Sequence, residues 1–205
     1  MGEMVMATQV KANPNDPRVK RTRQLLKQAL SDLRLEKSFH DITVQDIAER
    51  ATLNRVTFYA HFEDKYDLIG TWMRDGFMER LETALPVTSP LCAGNLRSLC
   101  RVVLETLREM QTHCRPLRGR YGPLFESAVQ EALYAFILDW LCHWSIEEPL
   151  PDVSIESLGA ALSWTIFGAA IDWGRGGEGR SLDGFVDEIV AVLLLGASSV
   201  FPNHE

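Results

Sequence analysis

Residues 43–65 constrain the fold more than any other stretch, because they predict two short helices joined by a tight turn. The spacing of Thr43 and Asp46 is typical of a helix start, where the hydroxyl accepts a backbone N–H and the carboxylate faces the positive end of the helix dipole. Asn54 is a candidate N-cap for a second helix that starts at Arg55. The turn between the helices is then about three residues long, which indicates a helix-turn-helix.

Hydrophobic periodicity gives each motif helix an inward face. In the first helix the apolar residues that recur at helical spacing are Val44, Ile47, Ala48 and Ala51. In the second helix, which we expect to end near His61, the residues predicted to face inward are Val56 and either Phe58 or Tyr59. Arg55 and Thr57 would then point outward from the first turn, the part of a recognition helix that reaches base edges in DNA.

A longer helix is predicted before the motif. Asp16 and Pro17 combine an N-cap with a proline at the first helical position, where its missing N–H costs nothing. The predicted apolar stripe is Leu25, Leu26, Ala29, Leu30 and Leu33. This stripe should cover the two motif helices and form a three-helix domain closed by Phe39 and Ile42.

The turn and second helix of the motif are followed by aromatic and basic residues at a characteristic spacing. The whole pattern consists of the run from Ala51 to Tyr59, then His61, Phe62, Lys65 and Leu68. Over about residues 20–70 the chain resembles the TetR family of bacterial transcriptional regulators. The family often has Gly where Ser38 and Thr52 stand here. Because a β-branched residue resists positive φ, Thr52 argues against a left-handed backbone at that position.

The resemblance implies that the second motif helix binds double-stranded DNA. We expect Arg55 to donate to a guanine, Thr57 to touch a thymine methyl, and Gln45 to contact a base or a phosphate. Arg21 and Arg23 stand where they can reach a backbone phosphate. The other predicted DNA-contacting residues are Asn54 and, as phosphate contacts at matching family positions, Thr43, Tyr59, His61 and Lys65.

The charge distribution supports a polyanionic partner although the whole chain has a net charge of −7. Up to residue 65 there are 11 Lys and Arg against 9 Asp and Glu, whereas the remainder has 10 against 19. The segment from Arg18 to Lys27 holds five basic residues and no acid. Basic charge gathered beside the motif is typical of phosphate contacts.

The rest of the chain predicts a larger helical domain, so the fold class is all-α with about nine helices. Predicted helices run from Lys65 to about Leu85, Asn95 to Thr112, Leu124 to Ser145, Ile155 to Trp173, and Leu182 to Phe201. The predicted organisation is a disordered arm (1–15), a helix-turn-helix DNA-binding domain (16–64), and an effector-binding and dimerisation domain (65–205).

The last two predicted helices, near 155–173 and 182–201, are apolar almost all round. Such helices must be buried on every side, and one small domain offers too little cover. Pairing with a second copy would bury them in a four-helix interface, and the resembled family dimerises through its last two long helices. The operator of such a dimer should be a near-palindrome with half-sites one helical turn, ~34 Å, or a multiple apart.

The resemblance further implies a repressor whose second domain binds a small effector and then releases DNA. The lining candidates are Trp72, Met73, Phe77, Leu107, Met110, Phe125, Tyr134, Trp140, Trp164 and Phe167. Large aromatic residues with few charges suit an apolar or aromatic effector. A DNA-binding or interaction dimer with no effector is an alternative.

No catalytic residue, cofactor or metal site is predicted. Neighbours such as His113-Cys114 and Cys142-His143 point about 100° apart on a helix, so neither pair can chelate or act as nucleophile and base without partners from elsewhere. A thiol- or metal-responsive repressor built on them is the other alternative. With four cysteines, no C-x-x-C spacing, no secretory leader and no uncharged run of membrane-spanning length, we expect a cytoplasmic protein and no membrane partner.

Overall fold

The computed structural model describes residues 16–113, 122–145, 153–176, 179 and 181–197. The described residues are all-α, as predicted, with a short 3-10 helix at Phe39–Asp41 and eight α-helices. The α-helices are α1 (Pro17–Glu36), α2 (Val44–Arg50), α3 (Arg55–Tyr59), α4 (Lys65–Ala84), α5 (Ala93–His113), α6 (Gly122–Ser145), α7 (Ile155–Gly176) and α8 (Leu182–Ala197). The predicted disordered arm, residues 1–15, lies outside the described residues.

Residue contacts divide the chain into two compact units, and the boundary between them falls within α4, after Trp72. The first turns of α4 pack in the first unit, where Leu68 and Ile69 are fully buried. The Trp72 ring lies 4.7 Å below the Arg34 guanidinium of α1. This cation–π contact joins α4 to α1 within the first unit.

Helix α1 begins as its sequence predicts. The Asp16 carboxylate accepts the Arg18 N–H at 2.8 Å, and Pro17 occupies the first helical position. The predicted stripe is buried at Leu26, Ala29, Leu30 and Leu33. Leu25 was predicted to belong to this stripe, which is wrong: its side chain is 41% exposed. Since Leu25 is rotated about 100° from Leu26, it lies at the edge of the buried face.

Helix α2 starts with the predicted capping box. The Asp46 N–H donates to the Thr43 hydroxyl at 3.1 Å, and the Thr43 N–H donates to the Asp46 carboxylate at 2.7 Å. Ile47 and Ala48 are buried, while Val44 is half-buried. The reciprocal bonds satisfy two backbone donors at a helix start, which stabilises a helix too short to persist alone.

The turn after α2 contradicts one expectation, because Thr52 adopts a left-handed backbone with φ 58°. The turn's hydrogen bonds hold this conformation: the Thr52 N–H donates to the Glu49 carbonyl at 3.0 Å, and the Leu53 N–H donates to the Ala48 carbonyl at 2.8 Å. The surrounding bonds therefore outweigh the intrinsic resistance of a β-branched residue to positive φ.

In the second unit, α5 packs against α7 and α8, and α6 packs against α7. Trp140 of α6 is fully buried, and its indole N–H donates to the Ser89 carbonyl at 2.7 Å. A Cβ at Gly159 of α7 would come within 2.8 Å of Leu138, so this glycine permits the close approach of α6. Arg97 of α5 pairs with Asp187 of α8 at 2.5 Å. Across the described helices, none combines the length and the hydrophobicity needed to cross a membrane.

Candidate nucleic-acid interface

Helix α3 presents a defined outward face. The Asn54 side chain caps its start, accepting the Thr57 N–H at 2.7 Å as predicted. Phe58 is fully buried and anchors the helix, so the choice left open between Phe58 and Tyr59 falls to Phe58. At about 100° per residue, Val56 and Ala60 lie opposite Phe58, with Arg55 and Tyr59 on one flank and Thr57 on the other. We call Arg55, Val56, Tyr59 and Ala60, all exposed, the outward face of α3.

Val56 was predicted to face inward, which is wrong, because its side chain is 79% exposed. Two residues along a helix correspond to a rotation of about 200°, so Val56 and Phe58 cannot both face the core. With Phe58 buried, Val56 lies at the centre of the outward face. Val56 is thus an exposed residue of the candidate interface that the helical pattern of the sequence did not indicate.

An open groove of about 490 Å³ runs beside α3. Five of the ten predicted DNA-contacting residues line it: Thr43, Gln45, Arg55, Tyr59 and Lys65. The other lining residues are His40, Ile42, Val44 and Asp64. The predicted contacts outside this lining are Arg21, Arg23, Asn54, Thr57 and His61. The groove therefore joins the starts of α2, α3 and α4.

Arg55 extends along the outward face toward Tyr59, one turn later. Its Nη2 lies 3.4 Å from the Tyr59 hydroxyl, and its guanidinium carbon lies 5.9 Å from the centre of that ring. Both side chains are exposed. A guanidinium positioned beside a phenol offers planar donors suited to a guanine edge or a phosphate.

The ammonium group of Lys65 is hydrogen-bonded within the protein. Its ammonium donates to the carbonyls of Phe39, His40 and Ile42 at 3.1, 3.0 and 2.6 Å. Three N–H donors are all that a lysine has, so each is used within the protein. Partial burial lowers the pKa of Lys65, against the attraction of nearby carboxylates such as Asp41. In the single chain Lys65 therefore positions the turn before α2, and its phosphate contact stays a prediction.

Arg23 is likewise engaged within the protein. Its Nη1 donates to the His61 carbonyl at 2.9 Å, and its guanidinium carbon lies 4.3 Å from the centre of the Phe62 ring. Arg21 is exposed and stands two residues earlier on α1. Burial, followed by the charge of Arg23, lowers the pKa of His61, which favours the neutral imidazole in the protein without DNA.

The start of α2 is held by a charged network. Hydrogen bonds from the Thr43 side chain and backbone, and then the Lys37 ammonium at 2.9 Å, lower the pKa of Asp46 to about 2. The Gln45 amide donates to Glu49 one turn along α2. At the other end of α2, Arg50 forms a two-pronged ion pair with Glu36 of α1 at 2.8 and 2.7 Å. Motif periodicity gave no signal for this last pair, because its partners lie on different helices.

The predicted effector-pocket residues occupy several environments. Met73, Phe77, Leu107, Phe125, Trp140 and Phe167 are buried in the second unit, and Tyr134 is half-buried. Trp72 lies in the first unit, beneath Arg34. Trp164 is 61% exposed, so we move it from the pocket candidates to the surface of α7. The side chain of Met110 lies outside the described residues.

The cysteines that the structure describes differ in exposure. Cys92 and Cys142 are exposed, whereas Cys100 is buried, and its burial raises the pKa of its thiol to about 12. Among the described residues, no group of three or more His, Cys, Asp and Glu side chains could hold a metal ion. Cys114 lies outside the described residues.

Sequence comparison finds similarity to bacterial regulators in part of the chain. Residues 28–70 match the sequence model of a family described as bacterial regulatory proteins, tetR family. The HTH-type transcriptional regulator YxbF of Bacillus subtilis (strain 168) is 32% identical over 90 residues. That alignment covers 43% of this chain and 24% of the length of YxbF. The chain thus spans about a quarter of this curated relative.

Solved structures share the fold at low sequence identity. FadR of Thermus thermophilus, a TetR-family transcriptional repressor solved in complex with lauroyl-CoA, has a TM-score of 0.59 and 24% identity, covering 85% of this chain and 94% of that one. The flavonoid-responsive regulator FrrA has a TM-score of 0.55 and 20% identity, covering 86% and 97%. Residues 28–70 are thus similar to bacterial regulatory proteins of the tetR family, and the chain shares its fold with solved structures that include a TetR-family repressor.

Proposed function

We propose that the chain is a homodimeric transcription repressor that binds a near-palindromic DNA operator through α3 and releases it on binding an apolar or aromatic effector. One observation carries the DNA-binding part: α3 is capped, anchored by Phe58, and turns Arg55 outward within a segment that matches the tetR family. Side chains in the first turn of such a helix reach base edges when the helix enters the major groove.

Electrostatics near α3 fit a polyanionic partner. The groove beside α3 is lined by two cationic residues, Arg55 and Lys65, one carboxylate, Asp64, and neutral donors such as Tyr59. Arg21 is exposed on α1. Lys65 contributes its charge although its hydrogen bonds are used internally. Phosphate neutralisation by such groups supplies most of non-specific affinity, whereas Arg55 at a base edge supplies specificity.

Dimerisation through α7 and α8 is supported by the exposed surface of these helices in the single chain. Trp164 of α7 is 61% exposed and is accompanied along the helix by exposed Ala161, Thr165 and Gly168. We call these four residues the outward face of α7. On α8, Val192 is 60% exposed. Exposed apolar residues next to small ones let two helices approach closely, as a helical dimer interface requires.

Effector binding is proposed for the second unit, whose buried residues include Phe77, Trp140 and Phe167. FadR of Thermus thermophilus was solved in complex with lauroyl-CoA, and FrrA is a flavonoid-responsive regulator, so two proteins of this fold have an acyl or an aromatic ligand. A repressor releases DNA when its effector binds the non-DNA conformer better, typically by ~1–3 kcal/mol.

Selection from a pool of random duplexes tests the DNA-binding proposal. We expect enrichment of one near-palindrome by the wild type. Arg55→Ala should weaken binding by ~1–3 kcal/mol or relax specificity at one symmetric base pair. Arg74→Ala, which removes an exposed arginine from the second unit, is the charge-matched control and should bind as the wild type does. Absence of enrichment at moderate salt, with binding that only fades as salt rises, would contradict the proposal.

Thermal melting tests the effector separately. A panel of aromatic compounds and acyl thioesters, lauroyl-CoA included, should contain a ligand that raises the melting temperature and weakens operator binding. A ligand at 100 times its dissociation constant adds ~2.7 kcal/mol of stability. If no compound shifts the melting temperature while operator binding persists, the alternative of a DNA-binding dimer without an effector is favoured.

A further inference from the structure

The most exposed residue at the centre of α3 is apolar. Val56 is 79% exposed and lies opposite the buried Phe58. Arg55 and Tyr59 flank it on one side, and Thr57 flanks it on the other. A helix that enters the major groove by this face would therefore insert Val56 deepest, with Arg55 beside it.

Thr57 is less available for an apolar contact than the sequence suggests. It is half-buried, and its hydroxyl donates to the Asn54 carboxamide oxygen at 2.9 Å. The same oxygen accepts the Thr57 N–H at 2.7 Å, so both bonds hold the helix cap. Restrained by this cap, Thr57 is directed toward the start of α3, whereas the Val56 isopropyl group points outward.

The C5-methyl of thymine is the only apolar group that base edges present in the major groove. We infer that Val56 is a specificity-determining residue that contacts a thymine methyl in each half-site, next to the base pair read by Arg55. This inference rests on the proposed operator binding and specifies thymine as the base that Val56 contacts. Apolar contact with this methyl favours thymine over cytosine and uracil at that position.

Removal of single methyl groups from the DNA tests the contact between Val56 and thymine. In the selected operator, each thymine is replaced in turn, together with its symmetry mate, by deoxyuridine, which lacks only the methyl group. Wild-type protein should lose about threefold to fivefold in affinity per half-site at one thymine position, the loss expected for one buried methyl group. Val56→Ala should lose most of this sensitivity, because its single methyl group is shorter than the isopropyl group and buries less of the thymine methyl.

A matched control separates this contact from a general loss of exposed apolar surface. Leu35 of α1 is 89% exposed and is not among the predicted DNA-contacting residues. Leu35→Ala should keep the wild-type sensitivity to deoxyuridine. Val56→Ala should also melt within a few degrees of the wild type, because an exposed side chain contributes little to folding.

Failure of this inference is distinguishable from failure of operator binding. If the wild type selects a near-palindrome but tolerates deoxyuridine at every thymine, or if Val56→Ala keeps the sensitivity of the wild type, Val56 does not read a methyl and operator binding still stands. If the wild type selects no sequence, both the operator proposal and the Val56 contact are overturned.

Discussion

The outward faces of α3 and α7 are both exposed in the single chain, but they differ in the residues that surround the exposed apolar side chain. On α3, Val56 is 79% exposed and flanked by Arg55 and Tyr59. On α7, Trp164 is 61% exposed, and its exposed neighbours along the helix are small and uncharged. Exposure alone therefore does not identify a partner. Charged and phenolic neighbours favour a nucleic acid, whereas small uncharged neighbours favour another helix.

The two sides of α3 should differ sharply in their contribution to folding. Phe58→Ala should lower the free energy of unfolding by about 3–5 kcal/mol, because it removes a fully buried aromatic ring. Val56→Ala, its matched control on the opposite side, should cost less than about 0.5 kcal/mol. Urea denaturation followed by circular dichroism measures both. A similar cost for the two variants would show that Val56 is part of the core.

A large side chain on the outward face of α7 should prevent dimerisation. Nothing lies within 4 Å of a Cβ at Gly168, so Gly168→Arg fits the single chain but would clash with a second copy. Loss of two-site binding should weaken operator affinity by about 10²-fold or more. Gly76→Arg, at another open helical glycine, is the control and should remain dimeric in sedimentation velocity. A dimeric Gly168→Arg protein would exclude this face.

The backbone conformation of Thr52, in the turn before α3, should destabilise the folded protein slightly. Thr52 has φ 58°, a conformation that costs about 1–2 kcal/mol for residues with a Cβ. Glycine adopts it freely but costs about 0.5–1 kcal/mol in chain entropy, so Thr52→Gly should stabilise the protein by about 0.5–1 kcal/mol. Thr52→Val keeps the β-branch and should gain nothing. Equal melting temperatures for wild type and Thr52→Gly would contradict a strained turn.

Acid should selectively weaken the start of α2, the helix that supports α3. The pKa of Asp46 is lowered to about 2 in the folded protein, against about 3.9 for a free side chain. Its contribution is therefore present above about pH 4 and is lost as pH falls toward 2. Asp46→Asn should be less stable than the wild type at pH 6, and the difference should close between pH 4 and pH 2. A constant difference across this range would argue against the capping role.

The sequence predicted best what depends on neighbouring residues. Asp16, Thr43 and Asn54 cap helices where their spacing indicates, because capping bonds join residues two or three positions apart. Long helices were predicted to within a few residues, since their apolar stripes repeat over several turns.

Contacts between distant segments were not predictable from spacing. Val56 was misassigned because a five-residue helix contains too few positions to define a face. Lys65 bonds carbonyls 23 to 26 residues earlier in the chain, and no local pattern indicates such bonds. The exposure of Trp164 depends on which sides of α7 are covered by α5 and α6. These outcomes are set by tertiary packing, which a single sequence does not specify residue by residue.

The mass of the complex between the protein and its selected duplex tests both faces at once. Sedimentation equilibrium should give two chains of 23.1 kDa per near-palindromic duplex for the wild type. For Gly168→Arg it should give one chain on a duplex that holds a single half-site. One wild-type chain per full palindrome, or two copies of Gly168→Arg bound as tightly as the wild type, would contradict the assignment of α3 to DNA and α7 to a second copy.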